Sequence, residues 1–199
     1  MLKVGITGGI GSGKTTVCRV FEVLGIPVFY ADDAAKSIMH TDARLREDII
    51  KGFGKDSYTI NGDLDRKYIA AIVFSNKEQL VKLNALIHPV VFRAFESWVG
   101  EQKDVPYVLK EAALLFESDA YKMCDQSILV ISPEALKFER IMVRDQITLE
   151  EVRLRMDRQF SDEKKEKMAD HLITNNEQLL LIPQILALHK HFIQMFHDH

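Results

Sequence analysis

Gly8-Gly9-Ile10-Gly11-Ser12-Gly13-Lys14-Thr15 fits the pattern of Gly, four residues, Gly, Lys and then Ser or Thr that cradles nucleotide phosphates. The glycines open backbone dihedrals closed to other residues, so successive amides can turn inward and wrap an anion closely. Gly13, Lys14 and Thr15 are expected to open a helix whose N-terminal amides and dipole favour the same anion. Lys14 is the residue to reach the β- and γ-phosphates as a point charge, and the Thr15 hydroxyl the one to take a coordination position on Mg²⁺. Such an octet arises by chance in about one chain of this size in a hundred. Its flanks lower that further, because Lys3-Val4-Gly5-Ile6-Thr7 reads as a short buried strand before the loop. Val17, Val20, Phe21 and Leu24 follow the loop at helical spacing. Strand, loop and helix in that order predict a nucleotide phosphate site.

The chain has 199 residues, 47% hydrophobic and 28% charged, enough for a sizeable core in one large domain or two small ones. A net charge of −3 gives no global pull toward nucleic acid or an anionic membrane, so the expected partner is a small molecule held locally. Residues 1–7 lack the pattern of a secretory signal, and no apolar run reaches the length of a membrane span, which predicts a cytoplasmic protein. Cys18 and Cys124 are too few and too far apart for a disulfide framework or a zinc site. Cys18, one turn past Lys14, reads as a buried thiol. His189, His191, His197 and His199 are spread around the last helix with no carboxylate or Cys at ligand spacing, so no metal site is read there.

Leu24-Gly25 should end the first helix, with Gly25 as a left-handed cap, and Ile26-Pro27-Val28-Phe29-Tyr30 reads as a second strand. Ala31-Asp32-Asp33 follows directly, and in open α/β sheets the strand ends border the ligand crevice. Asp32 is therefore read as facing the nucleotide and Asp33 as the cap of the next helix. Asp42 to Gly54 reads as a helix, residues 58–63 as a turn, Asp65 as a cap, and Ser75-Asn76-Lys77-Glu78 as a capping box. His88-Pro89 marks a break before a further helix. His88 serves equally as a satisfied structural histidine or a substrate contact. Residues 34–103 thus form a helical insertion far longer than an ordinary crossover, the natural acceptor-binding part.

Strands resume at Val105-Pro106-Tyr107-Val108-Leu109-Lys110 and at residues 126–131, the latter followed by Ser132 as cap and Pro133 as first helical residue. Arg140 and Arg144 lie four apart on the next helix. Thr148-Leu149-Glu150-Glu151 is a capping box for another, which bears Arg153, Arg155 and Arg158. This hairpin reads as a lid, since arginines that close over phosphates recur in phosphoryl transfer; a solvated surface hairpin is the competing reading. Residues 169–176 give a fifth strand, and Pro183 implies a late start or a kink in the last helix, which packs the core. The result is an α/β fold, a parallel five-stranded sheet flanked by helices.

Thr7-Gly8-Gly9-Ile10-Gly11-Ser12-Gly13-Lys14-Thr15-Thr16, Ala31-Asp32, Gly62-Asp63-Leu64-Asp65-Arg66, Leu83-Asn84, His88-Pro89, Leu114-Leu115-Phe116-Glu117, Arg140, Arg144 and Asn175 together resemble the dephospho-CoA kinase family. The match runs through nearly the whole chain in order. It implies a P-loop kinase fold with a core (1–33, 104–135 and 169–199), a helical CoA-binding insertion (34–103) and a lid (136–168). It implies transfer of the ATP γ-phosphoryl group to the ribose 3′-hydroxyl of dephospho-CoA, with Mg²⁺ and no obligatory protein partner. By the same resemblance Asp32 would deprotonate the acceptor, with Lys14, Arg140 and Arg144 stabilising the transferring group. Thr16 and Asn175 would join residues 8–15 around the nucleotide, and His88 and Glu117 would contact the acceptor. Two positions depart from the usual family pattern, Tyr30 for Asp and Ala113 for Pro. The competing functions are another small-metabolite or nucleoside monophosphate kinase, a GTP-hydrolysing switch, and a non-catalytic nucleotide-binding module. The switch wants Asn-Lys-x-Asp, and Asn76-Lys77-Glu78-Gln79 lacks its Asp.

Overall fold

The structure is a computed structural model that describes residues 1–74, 76–157 and 159–198. It divides into two compact units, residues 1–30 with 102–199 and residues 31–101.

The first unit contains β1 (Leu2–Thr7), α1 (Lys14–Val23) and β2 (Val28–Tyr30). The second, a continuous segment, contains α2 (Ala31–Thr41), α3 (Ala43–Phe53), α4 (Arg66–Phe74) and α5 (Lys77–Glu101). The chain then returns to the first unit with β3 (Tyr107–Glu111), β4 (Gln126–Ile131), α6 (Glu134–Asp145), α7 (Leu149–Met156), α8 (Asp162–Glu166), β5 (His171–Thr174) and α9 (Leu181–His197).

The described strands form one sheet in the order β2-β3-β1-β4-β5, and every neighbouring pair is parallel. β1 is central because its apolar run can be covered on both faces, as parallel sheets require. Alternation sorts the faces: Val4 and Ile6, Tyr107 and Leu109, and Ile128 and Val130 join Ile173 under Val17, Cys18 and Phe21 of α1 and Ile185 and Phe192 of α9. Tyr107 meets Phe21 and Phe192 edge-on at 6.3 and 5.3 Å between centroids, contacts worth about 0.5–1.5 kcal/mol each beyond their area. Its hydroxyl reaches His189 Nδ1 at 2.7 Å. β2 and β3 each start two residues later than the pattern predicts, because Pro27 and Pro106 have no amide to donate. Their carbonyls still accept, from Leu109 and Leu2 respectively. β5 is likewise confined to four of the residues in 169–176.

Gly25 ends α1 as expected, at φ 83°. α9 starts late, which puts Pro183 in its first turn, where no interior hydrogen bond is lost. Ser132 does not cap α6. Pro133 occupies the cap position, and the Ser132 hydroxyl accepts instead from Arg140 Nη1 at 3.0 Å. The Thr148–Glu151 capping box forms. The helix it starts ends at Met156, a second short helix, α8, follows under a Ser161 cap, and Arg158 lies outside the described residues.

In the second unit α5 carries Leu83, Ile87, Val91, Phe95 and Val99 at a spacing of four, a buried stripe packed with Leu45, Ile49 and Phe53 of α3 and Ile69 of α4. That stripe runs straight through Pro89, so His88-Pro89 is not a break: α5 is continuous, and packing outweighs the hydrogen bond that the proline forgoes. Asp42 caps α3 through the Leu45 amide at 2.8 Å, and Asp65 caps α4 through the Lys67 and Tyr68 amides. Asn76 serves α5 by accepting from Glu78 and Gln79, while Ser75, expected to cap that helix, lies outside the described residues. Asp33 is not a cap. α2 begins at Ala31, immediately after β2, so both acids lie in its first turn and Asp33 pairs with Lys36 at 2.6 Å.

Candidate active site

The parallel register brings the C-terminal ends of β1 and β4 side by side, and residues 8–13 emerge from that edge. Gly13 caps α1 at φ 91°, ψ 21°, a left-handed conformation that suits glycine. Gly11 lies at φ 80° with the Lys137 carbonyl 2.7 Å from where a Cβ would stand. Space closes in from the sheet as well, since a side chain on Gly8 would strike the Val130 carbonyl and the Ser12 hydroxyl. The loop folds on itself through Ser12 N–H to Gly9 O at 3.0 Å, and Lys14 Nζ donates to Gly8 O at 2.9 Å. Thr15 and Thr16 are exposed in the first turn of α1, which carries no acidic residue.

Two features fit an anion with its cation at this loop. Ser12 Oγ is buried without a hydrogen-bond partner among the described residues, an arrangement costly to leave unmet. The positive end of the α1 dipole also has no carboxylate of its own to neutralise it.

Residues distant in sequence surround the loop. Asn175, just past β5, donates from Nδ2 to Ser12 O at 2.9 Å. Arg140 on α6 bonds Ser132, reaches Gly11 O at 3.4 Å and pairs with Glu177 at 2.9 Å. Arg144, one turn on, points elsewhere: it is 62% exposed and holds Asp145, which also accepts from Arg155. The Arg144 hydrogen bond, with help from Arg155, holds the Asp145 carboxyl below the usual carboxylate range. The structure therefore brings Lys14, Arg140 and Asn175 together at the loop and turns Arg144 away to Asp145, the carboxylate through which Arg155 ties α7 to α6.

Glu117 is nearly buried. Its Oε1 accepts from the Phe160 amide at 2.7 Å and lies 3.1 Å from the fully buried Lys165 Nζ, so it anchors the segment ahead of α8. Gln159 in that segment accepts from the Ile10 amide at 3.0 Å and donates to Ala113 O at 3.2 Å. Lys137 on α6 pairs with Asp162 at 2.6 Å. A cleft of about 560 Å³ lies here, lined by Gly9, Lys137, Phe138, Met156, Phe160 and Asp162 among others. Gln159, Lys137, Asp162 and Lys165 had no motif to flag them. All four lie within the stretch 136–168 read as the lid, Lys137 at its start and the others near its end, with no spacing that singles them out.

Glu111, 8% exposed at the end of β3, pairs in register with Ile6 one residue before β1 ends. Tyr30, at the position where the family pattern has Asp, donates to Glu22 at 3.1 Å, and burial pushes its hydroxyl's pKa up. Burial likewise pushes the Cys18 thiol up, leaving an inert core group. In the second unit Asp32 is exposed in the first turn of α2, and His88 stacks on Phe92 within α5 at 6.0 Å between ring centroids.

Residues 2–180 match the family model described as dephospho-CoA kinase. A relative of that name from Salinibacter ruber is 40% identical over 181 residues, covering 90% of this chain and 91% of the relative. A crystal structure from Thermus thermophilus superposes with a TM-score of 0.85 at 31% identity, covering 96% of both chains. The dephospho-CoA kinase of Campylobacter jejuni gives a TM-score of 0.68 at 29% identity, covering 96% of this chain and 97% of its own.

Proposed function

Because this chain belongs to the dephospho-CoA kinase family, whose activity is ATP-dependent phosphorylation of dephospho-CoA in coenzyme A biosynthesis, we infer how its residues divide that work. The observation that carries the reading is the glycine-lined loop, with Lys14, Arg140 and Asn175 gathered on it. Phosphoryl transfer asks little covalent chemistry of a protein, so positioning and charge stabilisation supply the catalysis.

The amides of residues 8–15 and Lys14 hold the ATP phosphates, Thr16 extends that set, and Asn175 fixes the loop by bonding Ser12 O. A bound Mg²⁺ would supply neutralisation of the charge on the ATP phosphates. Thr15 would hold it, with Glu111 at the end of the neighbouring strand. Arg140 stabilises charge on the migrating group, and Arg144 supports it by fixing the lid helices through Asp145. Asp32 orients the ribose 3′-hydroxyl of dephospho-CoA and takes its proton. The helical segment 34–103 binds the acceptor, with His88 as its contact. Glu117 serves the acceptor by holding the lid segment 159–165 in place. A cytoplasmic setting, where ATP is the abundant phosphoryl donor, belongs to this reading.

Incubation with MgATP and a panel containing dephospho-CoA, shikimate and nucleoside monophosphates, read by mass spectrometry, tests it. Only dephospho-CoA should gain 3′-phosphate. Equal or faster labelling of another acceptor overturns the substrate assignment, and no loss of turnover in Lys14→Ala overturns the phosphate loop.

A further inference from the structure

The Lys137–Asp162 pair joins α6 to the first residue of α8, both within the first unit and beside the phosphate loop. Lys137 is 6% exposed along its side chain and Asp162 31%. A Cβ on Gly9 would stand 3.4 Å from Lys137 Nζ and 3.3 Å from Asp162 Oδ1, so cation and anion both abut the loop mouth. One step along, the side-chain oxygen of Gln159 occupies the Ile10 amide. Two donors at the mouth of an anion-binding loop, one amide and one ammonium, are thus each met by an oxygen from residues 159–162. Glu117 fastens that segment from behind through Phe160 and Lys165. An ammonium this well buried needs a counter-charge, and a nucleotide phosphate is a stronger one than a carboxylate.

We infer that Lys137 is a further phosphate-binding cation for ATP, and that Asp162 is the internal anion it exchanges for the terminal phosphate. This rests on the nucleotide reading given above. Asp162 competes with the ligand twice: it occupies Lys137, and it places a negative charge where an incoming polyphosphate would be repelled. The two partners therefore have opposite effects on affinity, whereas a pair that merely braced the lid would give losses at both ends.

The test is calorimetric titration of the full chain and its variants with a non-hydrolysable ATP analogue and Mg²⁺. Asp162→Asn, which keeps an acceptor for Lys137 but no charge, should bind about fivefold tighter. Lys137→Met, which keeps the buried stem, should bind about tenfold weaker, and Lys137→Arg should stay within about threefold of the parent. Weaker or unchanged binding by a folded Asp162→Asn overturns the exchange, even if Lys137→Met fails to fold. A parent that binds no nucleotide overturns the phosphate-loop reading itself; a parent that binds while the two ends change affinity in the same direction overturns only this inference.

Discussion

The side-chain nitrogen of Asn175 that donates to Ser12 O also stands against the place where a side chain on Gly13 would begin. One residue from the end of the sheet thereby sets both the height of the loop and the identity of its neighbour. Gly13→Ala meets a positive φ and a blocked Cβ together, so Asn175 must swing away and release the Ser12 carbonyl. The expected cost is about 2–3 kcal/mol in chemical denaturation, with nucleotide affinity reduced as well. Adding Asn175→Ala should recover part of the stability loss, because the clash disappears; strictly additive losses would show that the two do not interact.

Asp32 and Asp33 sit side by side in the first turn of α2 but have different surroundings, since Lys36 engages only Asp33. Asp32→Asn should lower kcat by about a hundred- to ten-thousand-fold with little change in MgATP affinity. Asp33→Asn loosens an exposed ion pair worth at most about 1 kcal/mol and should keep kcat within a few-fold of the parent. Steady-state kinetics with dephospho-CoA decides, and the reverse ranking would assign the base to Asp33.

The two lid arginines are expected to separate in the same way. Arg140→Ala removes a guanidinium that reaches the loop and should lower kcat by about a hundredfold or more. Arg144→Ala breaks an exposed bond to Asp145, so its effect should be no more than a few-fold and should appear mainly as easier proteolysis of residues 145–157. Comparable kcat losses in both variants would mean that Arg144 also reaches the reacting group.

Stability should depend on two histidines. Burial lowers the pKa of His171, with the charge of His191 acting the same way and Asp170 opposing, and burial lowers that of His189, which is tied to Tyr107. A histidine whose folded pKa lies below its unfolded value of about 6.5 leaves the unfolded chain binding more protons, so stability falls as pH drops below about 6.5. Urea midpoints at pH 7.5 and 5.5 should show the decline, and His171→Gln with His189→Gln should flatten it. An unchanged slope in that double variant would assign the acid sensitivity to other groups.

The phosphate loop was legible because its chemistry is local: eight consecutive residues fix the turn, and flanking periodicity fixes the strand and helix. Caps at Asp42, Asp65 and Thr148 were legible for the same reason, each bonding an amide three residues on. Pro89 was misleading, since a local helix-breaking rule lost to a buried stripe that spans α5. Ser132 had the sequence of a cap, yet Arg140, eight residues away, takes its hydroxyl. Gln159, Lys137 and Asp162 lie too far from the loop in sequence for any spacing to reveal them. Only the parallel register and the course of the lid bring them to Gly9 and Ile10.

The strand order bears on how the protein is made. β1 is synthesised before the second unit, yet both its neighbours, β3 from Tyr107 and β4 from Gln126, lie beyond the whole of that unit. At about 5–20 residues per second, the strand that carries the phosphate loop waits on the ribosome for several seconds with both edges unpaired. Residues 31–101, continuous in sequence and with their own buried stripe, are complete before that wait ends. A strand made before the second unit thus gains both its neighbours only after that unit, and the loop it leads into takes shape only then.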